Sequence, residues 1–226
     1  MGRDRPQLVG ASESVGLRVK PATAAGWVIT VAGPDGAGKT TFCDAFIDTA
    51  LEGRPVRRFH HRFELVPARS DADPAHPHEQ STYPWPVSIA KVFALYAEAL
   101  VGWNTKVRGF TKRGGCVVIE RGWWDLAVDP VRYRLRPHPK LVRTLGRMLS
   151  QSDLLIVLEG TIELLMSRTS ESTEQEIADQ TKAWRQSVPA SVPRVYLDVS
   201  SPVEELVRRA ADELARVLPP DTLRSR

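Results

Sequence analysis

The stretch "GWVITVAGPDGAGKTT", residues 26–41, joins an apolar run to a turn built on glycines and then presents a lysine. The run "WVITVA" has no polar alternation beyond Thr30, the pattern of a strand buried on both faces in a parallel sheet. Gly33, Gly38, Lys39 and Thr40 complete the spacing G-x-x-x-x-G-K-[ST]. A helix is predicted from Thr40 to about Leu51, so the motif lies between a strand and a helix, the context that gives it meaning.

That arrangement holds phosphate. Glycines let backbone N–H groups converge on one anion, and the N-terminus of the following helix adds a favourable dipole. The loop residues Gly33, Asp35, Gly36, Ala37, Gly38, Lys39, Thr40 and Thr41 are the expected nucleotide contacts. Lys39 is placed to reach the β- and γ-phosphates of ATP, and the Thr40 hydroxyl to ligate Mg²⁺. No N-K-x-D guanine-reading motif is present, which weighs against a GTPase.

The rest of the chain repeats the strand–helix alternation. "PVRRFHHRF" (55–63), "CVVIE" (116–120), "LLIVLE" (154–159) and "RVYLDVS" (194–200) are the other predicted strands. "VSIAKVFALYAEALVGWNTKVRGF" (87–110) has apolar residues at helical spacing and is the longest predicted helix. "VEELVRRAADELARVL" (203–218) is a closing amphipathic one. A proline-rich loop is expected over 68–86. These elements predict a five-stranded parallel sheet with helices on both faces, the three-layer α/β sandwich of a P-loop NTPase. Residues 1–25 read as a loose arm and 26–220 as a single domain, with a lid over about 160–180.

Composition narrows the partners. The 226 residues carry a formal charge of +4, a mild excess that suits an anionic substrate and is too dispersed for a nucleic-acid partner. No unbroken run of 18 apolar residues occurs, so no membrane partner is expected. Cys43 and Cys116 fall in a predicted helix and strand, as small core residues of a cytoplasmic protein.

Asp35 within "GPDGAGKTT" and "VVIERGWWD" at the end of the third strand together resemble the thymidylate kinase family, close to the deoxynucleoside kinases. The resemblance spans residues 26 to about 215 and is sharp at those two places. It implies that Asp35 approaches the sugar of a small-molecule phosphoryl acceptor. It also implies that Glu120 and Arg121 stand for the family's Asp-Arg or Glu-Arg pair. Independently, a carboxylate at the C-terminal end of a parallel strand lies at the sheet's ligand edge. There Glu120 could hold a metal-bound water or accept a proton, and Arg121 offers a planar donor for phosphate.

The departures from the family are specific. Its thymidylate enzymes carry an arginine late in the long helix, where this chain reads "LYAEALVGWN". After the third strand stands "ERGWWDLAVDPVRYR", which offers Trp123, Asp129, Arg132 and Arg134 as acceptor contacts. The tryptophans can stack on a ring, and the arginines can clamp a phosphate. For Trp123 the alternative is core packing; for the charges it is internal ion pairing. Arg62 is a further acceptor candidate, and Arg168 a lid arginine that would stabilise charge on the moving phosphoryl group. Trp184 is expected to pack the lid helix onto the core. Pairing of two copies through residues 89–103 is expected by analogy with the family. The functional choice is between an ATP-dependent small-molecule kinase and a nucleotide-binding regulatory protein that does not transfer phosphate.

Overall fold

The computed structural model describes residues 26–60, 63, 81–169 and 172–217. Five strands form one parallel sheet: β1 (Val28–Ala32), β2 (Val56–His60), β3 (Cys116–Glu120), β4 (Leu154–Glu159) and β5 (Arg194–Asp198), in the order β2-β3-β1-β4-β5. The central β1 pairs with both β3 and β4, with Thr30 opposite Ile119 and Val31 opposite Glu120. Both faces of β1 are covered, which explains its unbroken apolar run.

Successive side chains of a strand point to opposite faces, so each strand feeds two cores. On one face Ile29 and Val31 meet Phe42 and Phe46 of α1 (Lys39–Ala50) and the stripe Leu206, Val207, Ala210 and Leu214 of α8 (Val203–Val217). The rings of Phe42 and Phe46 stack at 5.6 Å. Cys43 and Cys116 are free thiols in this layer, and burial pushes the Cys43 thiol up to about 12. On the other face Ala32, Leu155 and Val157 meet Trp124 and, from α7 (Glu174–Ser187), Trp184. Trp184 is fully buried there, packing the helix onto the sheet.

The predicted second strand is described over Val56–His60; His61 and the acceptor candidate Arg62 lie outside the described residues. The long helix is not uniform. α2 (Trp85–Gly102) continues through a wider turn, Trp103–Val107, into α3 (Arg108–Thr111). Gly102 is required where this path changes, because a Cβ there would sit 2.4 Å from the Phe63 ring. The continuous helix Trp85–Thr111 is long and apolar enough to cross a membrane, although it holds no unbroken apolar run of that length. In this fold it covers the sheet: Val92 packs with Leu126 and Tyr133, and Val107 with Val28 and Val117.

Shorter helices among the described residues are α4 (Asp125–Val128), α5 (Pro139–Met148) and α6 (Ile162–Met166). Thr173 and Glu176 form a reciprocal capping box at the start of α7. Such a box satisfies two otherwise orphaned backbone donors and fixes where the helix begins. Its buried stripe, Ile177, Gln180, Trp184 and Ser187, therefore faces inward with one amide among apolar neighbours.

Candidate active site

Lys39 and the loop before it sit where β1 ends and α1 begins. Gly36 and Gly38 adopt left-handed backbone, at φ 79° and 73°, which a glycine reaches without steric cost. A side chain at Gly36 would also run into the Leu165 carbonyl at 2.4 Å. The first-turn N–H groups of a helix have no intrahelical partner. At α1 no side chain caps them and no acidic residue occupies the first turn. That leaves a concentrated set of donors suited to phosphate oxygens, so the residues present fit a nucleotide's phosphates. Lys39 is buried and donates to the carbonyls of Gly33 (3.0 Å) and Pro34 (2.7 Å) within its own loop. Burial and the nearby Arg121 charge depress its pKa to about 8.

Glu120 ends β3 on the α1 side of the sheet. It accepts a hydrogen bond from the Thr40 hydroxyl at 3.1 Å. Arg58 and His60, from the neighbouring β2, also hold it: the Arg58 Nε donates at 2.5 Å, and His60 Nδ1 lies 3.3 Å away. Burial raises the carboxyl, but the hydrogen bonds from His60 and Arg58 outweigh it and hold the pKa at about 2. Glu120 is thus a persistent anion beside Thr40, suited to a cation or its water, and a weak proton acceptor. The parallel register that sets His60 opposite Glu120 brings these groups together, and no sequence motif marks Arg58.

Asp35 is the hub of a second cluster, its Oδ1 4.0 Å from the Lys39 Nζ. Arg121 donates to Asp35 Oδ1 at 3.0 Å, and Arg132 donates to its other oxygen. Ser172 also donates to Asp35, at 2.9 Å. Behind them, Asp129 accepts from Arg132 and from Gln180, at 3.3 and 3.1 Å. Asp125 lies 3.8 Å from Arg121 and accepts from the Tyr133 hydroxyl at 2.5 Å. Burial opposes the charge on Asp35, but Lys39, Arg121 and Arg132 together hold its carboxyl well below the usual range. Burial also pushes the Tyr133 hydroxyl up, as does the Asp125 carboxylate, so Tyr133 stays a donor.

Gln180 ties this cluster to α7. Its carbonyl accepts from the Asp35 amide at 3.3 Å while its amide serves Asp129. The candidate residues Asp35, Arg121, Asp129 and Arg132 thus form one network with Asp125 and Tyr133 of the same segment, and with Ser172 and Gln180, which no sequence motif signalled. Arg134 is set apart, donating to Ser81 and stacking on Tyr83 at 4.4 Å. Arg168 is exposed, with one long contact to the Val199 carbonyl at 3.5 Å. Trp123 gives its indole N–H to Val142 at 2.9 Å and lines a cavity of about 230 Å³. Packing and cavity wall are therefore combined in that one residue.

No protein-family model matches this sequence, and no curated protein matches it either. The fold does have a counterpart. A solved thymidylate kinase from Candida albicans superposes with a TM-score of 0.61, covering 86% of this chain and 93% of that one at 12% identity. The chain has a thymidylate kinase-like P-loop fold. At this identity the likeness concerns the fold.

Proposed function

We propose that this protein is an ATP-dependent phosphotransferase that moves the γ-phosphoryl group of MgATP to a small-molecule acceptor. The observation that carries the reading is that two separate anionic centres stand at the phosphate loop. Glu120 sits with Thr40, and Asp35 with Lys39, Arg121 and Arg132. A nucleotide sensor needs the loop and the first of these; the second gains a purpose when an acceptor must be oriented.

Thr40 and Glu120 would hold Mg²⁺, which when bound neutralises charge on the donor's phosphates. The loop amides and Lys39 bind and orient those phosphates. Asp35 orients the acceptor, and Arg121 supplies a fixed positive charge near the transferring group. Catalysis of this kind rests on positioning and charge rather than on a covalent intermediate. A cytoplasmic setting belongs to the same proposal, supported by the free thiols of Cys43 and Cys116. So does pairing of two copies through α2, supported by its exposed Val87, Phe93, Leu100 and Val101 and tested by sedimentation.

ADP release from MgATP with an acceptor panel tests the central reading. Lys39→Ala is expected to lower turnover by about 10³-fold with the circular dichroism unchanged. Glu120→Ala should retain ATP binding and lose turnover. If the Glu120→Ala protein turns over as the parent does, the anionic centre beside Thr40 has no part in transfer and the kinase reading fails.

A further inference from the structure

We propose that Arg58 is the resident counter-ion of the cation site, holding Glu120 in the nucleotide-free protein and reserving it for a divalent metal that arrives with a nucleotide's phosphates. This rests on the phosphotransferase reading and assigns a control on that same site. Two elements converge there. Thr40 and Asp44 stand one turn apart on α1, a spacing that puts both side chains on one face of the helix. Arg58 and His60 alternate with Phe59 on β2, so both point to the same side of the sheet. The parallel register sets His60 opposite Glu120, which reaches Thr40 on α1.

Arg58 joins the two carboxylates of this corner. Its Nε and Nη2 both face Glu120 Oε1, and its Nη1 donates to Asp44 Oδ1. The second Glu120 oxygen, Oε2, accepts from the Thr40 hydroxyl at 3.1 Å and lies 3.3 Å from His60 Nδ1. The two oxygens are thus divided, one committed to the guanidinium and the other turned to the phosphate loop. Without Arg58, the groups left at the corner are two carboxylates, a hydroxyl and an imidazole, a set that Mn²⁺ accepts. The guanidinium takes the place of such an ion, with a permanent charge and a planar fork that fits carboxylate oxygens.

Charge makes this contact a control. Arg58 offsets one of the two carboxylates and repels any further cation beside Oε2. Thr40 and a shared Glu120 offer little to a hydrated divalent ion by themselves. The phosphates held by Lys39 and the loop amides add the negative charge that the corner lacks. Asp44 keeps its own bond to the guanidinium, so Arg58 stays anchored when Glu120 turns to a metal. The Arg58 side chain is 31% exposed, so solvent screens its charge and the expected effect is moderate.

Mn²⁺ is the probe, titrated into the nucleotide-free protein and followed by electron paramagnetic resonance, with ATP titrated by calorimetry in parallel. The parent should bind Mn²⁺ weakly until ADP is added. Arg58→Gln should bind it at least about tenfold more tightly without nucleotide, and Arg58→Ala should repeat the gain through a different side chain. Arg58→Lys keeps the charge and should stay with the parent. Combining Arg58→Gln with Glu120→Gln should abolish the gain. Circular dichroism checks that each variant folds, and unfolding cannot produce a gain that depends on Glu120. Equal Mn²⁺ affinity in the parent and both neutral variants overturns the inference and leaves the kinase reading intact. So does a gain that Arg58→Lys shares, or one that survives the loss of Glu120. A parent that binds Mn²⁺ as tightly without ADP as with it overturns the inference by itself. Failure of ATP to bind, with or without Mg²⁺, overturns the kinase reading instead.

Discussion

The two flanks of Lys39 are built from different materials. The donor side is mostly backbone: a contiguous loop whose left-handed positions are glycines, followed directly by a helix start. The acceptor side is side chains, brought from β3, α4, the turn after it and α7. Its left-handed positions include residues with a Cβ: beside Gly122 at φ 69° stand Arg121 at φ 71° and, in the turn beyond, Arg134 at φ 54°. Such positions cost about 1 kcal/mol or more each for a residue with a Cβ. The donor loop is therefore conformationally relaxed and chemically generic. The acceptor edge is strained, densely ion-paired and particular to this chain.

The largest expected break in that contrast comes from Arg132→Ala. Removing one partner of a buried ion pair leaves the other desolvated and uncompensated, at about 3 kcal/mol. Here both Asp35 and Asp129 lose a donor, though Arg121 and Ser172 still serve Asp35. Urea unfolding should show a loss of that order. Acceptor KM should rise while the affinity for MgATP changes little. A variant whose ATP affinity falls as far as its acceptor affinity would show that the two flanks are one unit.

Gln180→Leu is the next in size. It keeps the volume and removes both hydrogen bonds by which α7 grips the network. An unsatisfied buried polar group costs about 1–3 kcal/mol, so a loss near 2 kcal/mol is expected in the same unfolding assay. No change would mean that α7 is held by Ile177 and Trp184 alone.

The difference in materials also explains what could be read beforehand. The loop is contiguous, and its function depends on glycines and one lysine at fixed spacing, so nine letters carry it. Alternation of apolar runs with amphipathic stretches carried the five strands and the closing helix in the same way. The acceptor network has no such spacing. Asp35 and Gln180 are 145 residues apart, and Arg121 and Asp35 are 86 apart. Only the strand order and the capping box of α7 bring them together. Arg58 escaped notice for a related reason. An arginine in a half-exposed edge strand looks like a solvated charge until the register of β2 on β3 sets it beside Glu120.

Charge regulation should distinguish the flanks as well. Lys39, with its pKa depressed to about 8, loses its charge as pH rises through that value, while the unfolded chain still holds the proton. The unliganded protein should then gain stability between about pH 8 and 10.5, because the unfolded state binds more protons there. MgATP binding should weaken over the same window, by up to about tenfold per pH unit, since phosphate favours the protonated lysine. On the acceptor flank Arg121 is pushed above the ordinary arginine range and Asp35 held below the carboxylate range, so both keep their charge across this window. Calorimetric titrations from pH 7 to 9.5 should therefore show a slope for MgATP and nearly none for the acceptor found by the panel. Parallel slopes would remove the distinction.

The smallest effect isolates backbone strain from contacts. Arg134 sits at φ 54° and contributes a hydrogen bond to Ser81 and a cation–π contact with Tyr83. Alanine and glycine both remove these contacts, so comparing the two substitutions cancels them. At an ordinary position the glycine variant would be the less stable, because glycine gives the unfolded chain more freedom. At a left-handed position the order reverses, since alanine keeps a Cβ crowding its own carbonyl and glycine does not. Arg134→Gly should therefore be more stable than Arg134→Ala by about 1 kcal/mol in urea unfolding. Equal stabilities would mean the backbone relaxes out of this conformation at little cost once the side chain is gone. The strain at Arg134 would then be held in place by its contacts with Ser81 and Tyr83, and not by the turn that precedes it.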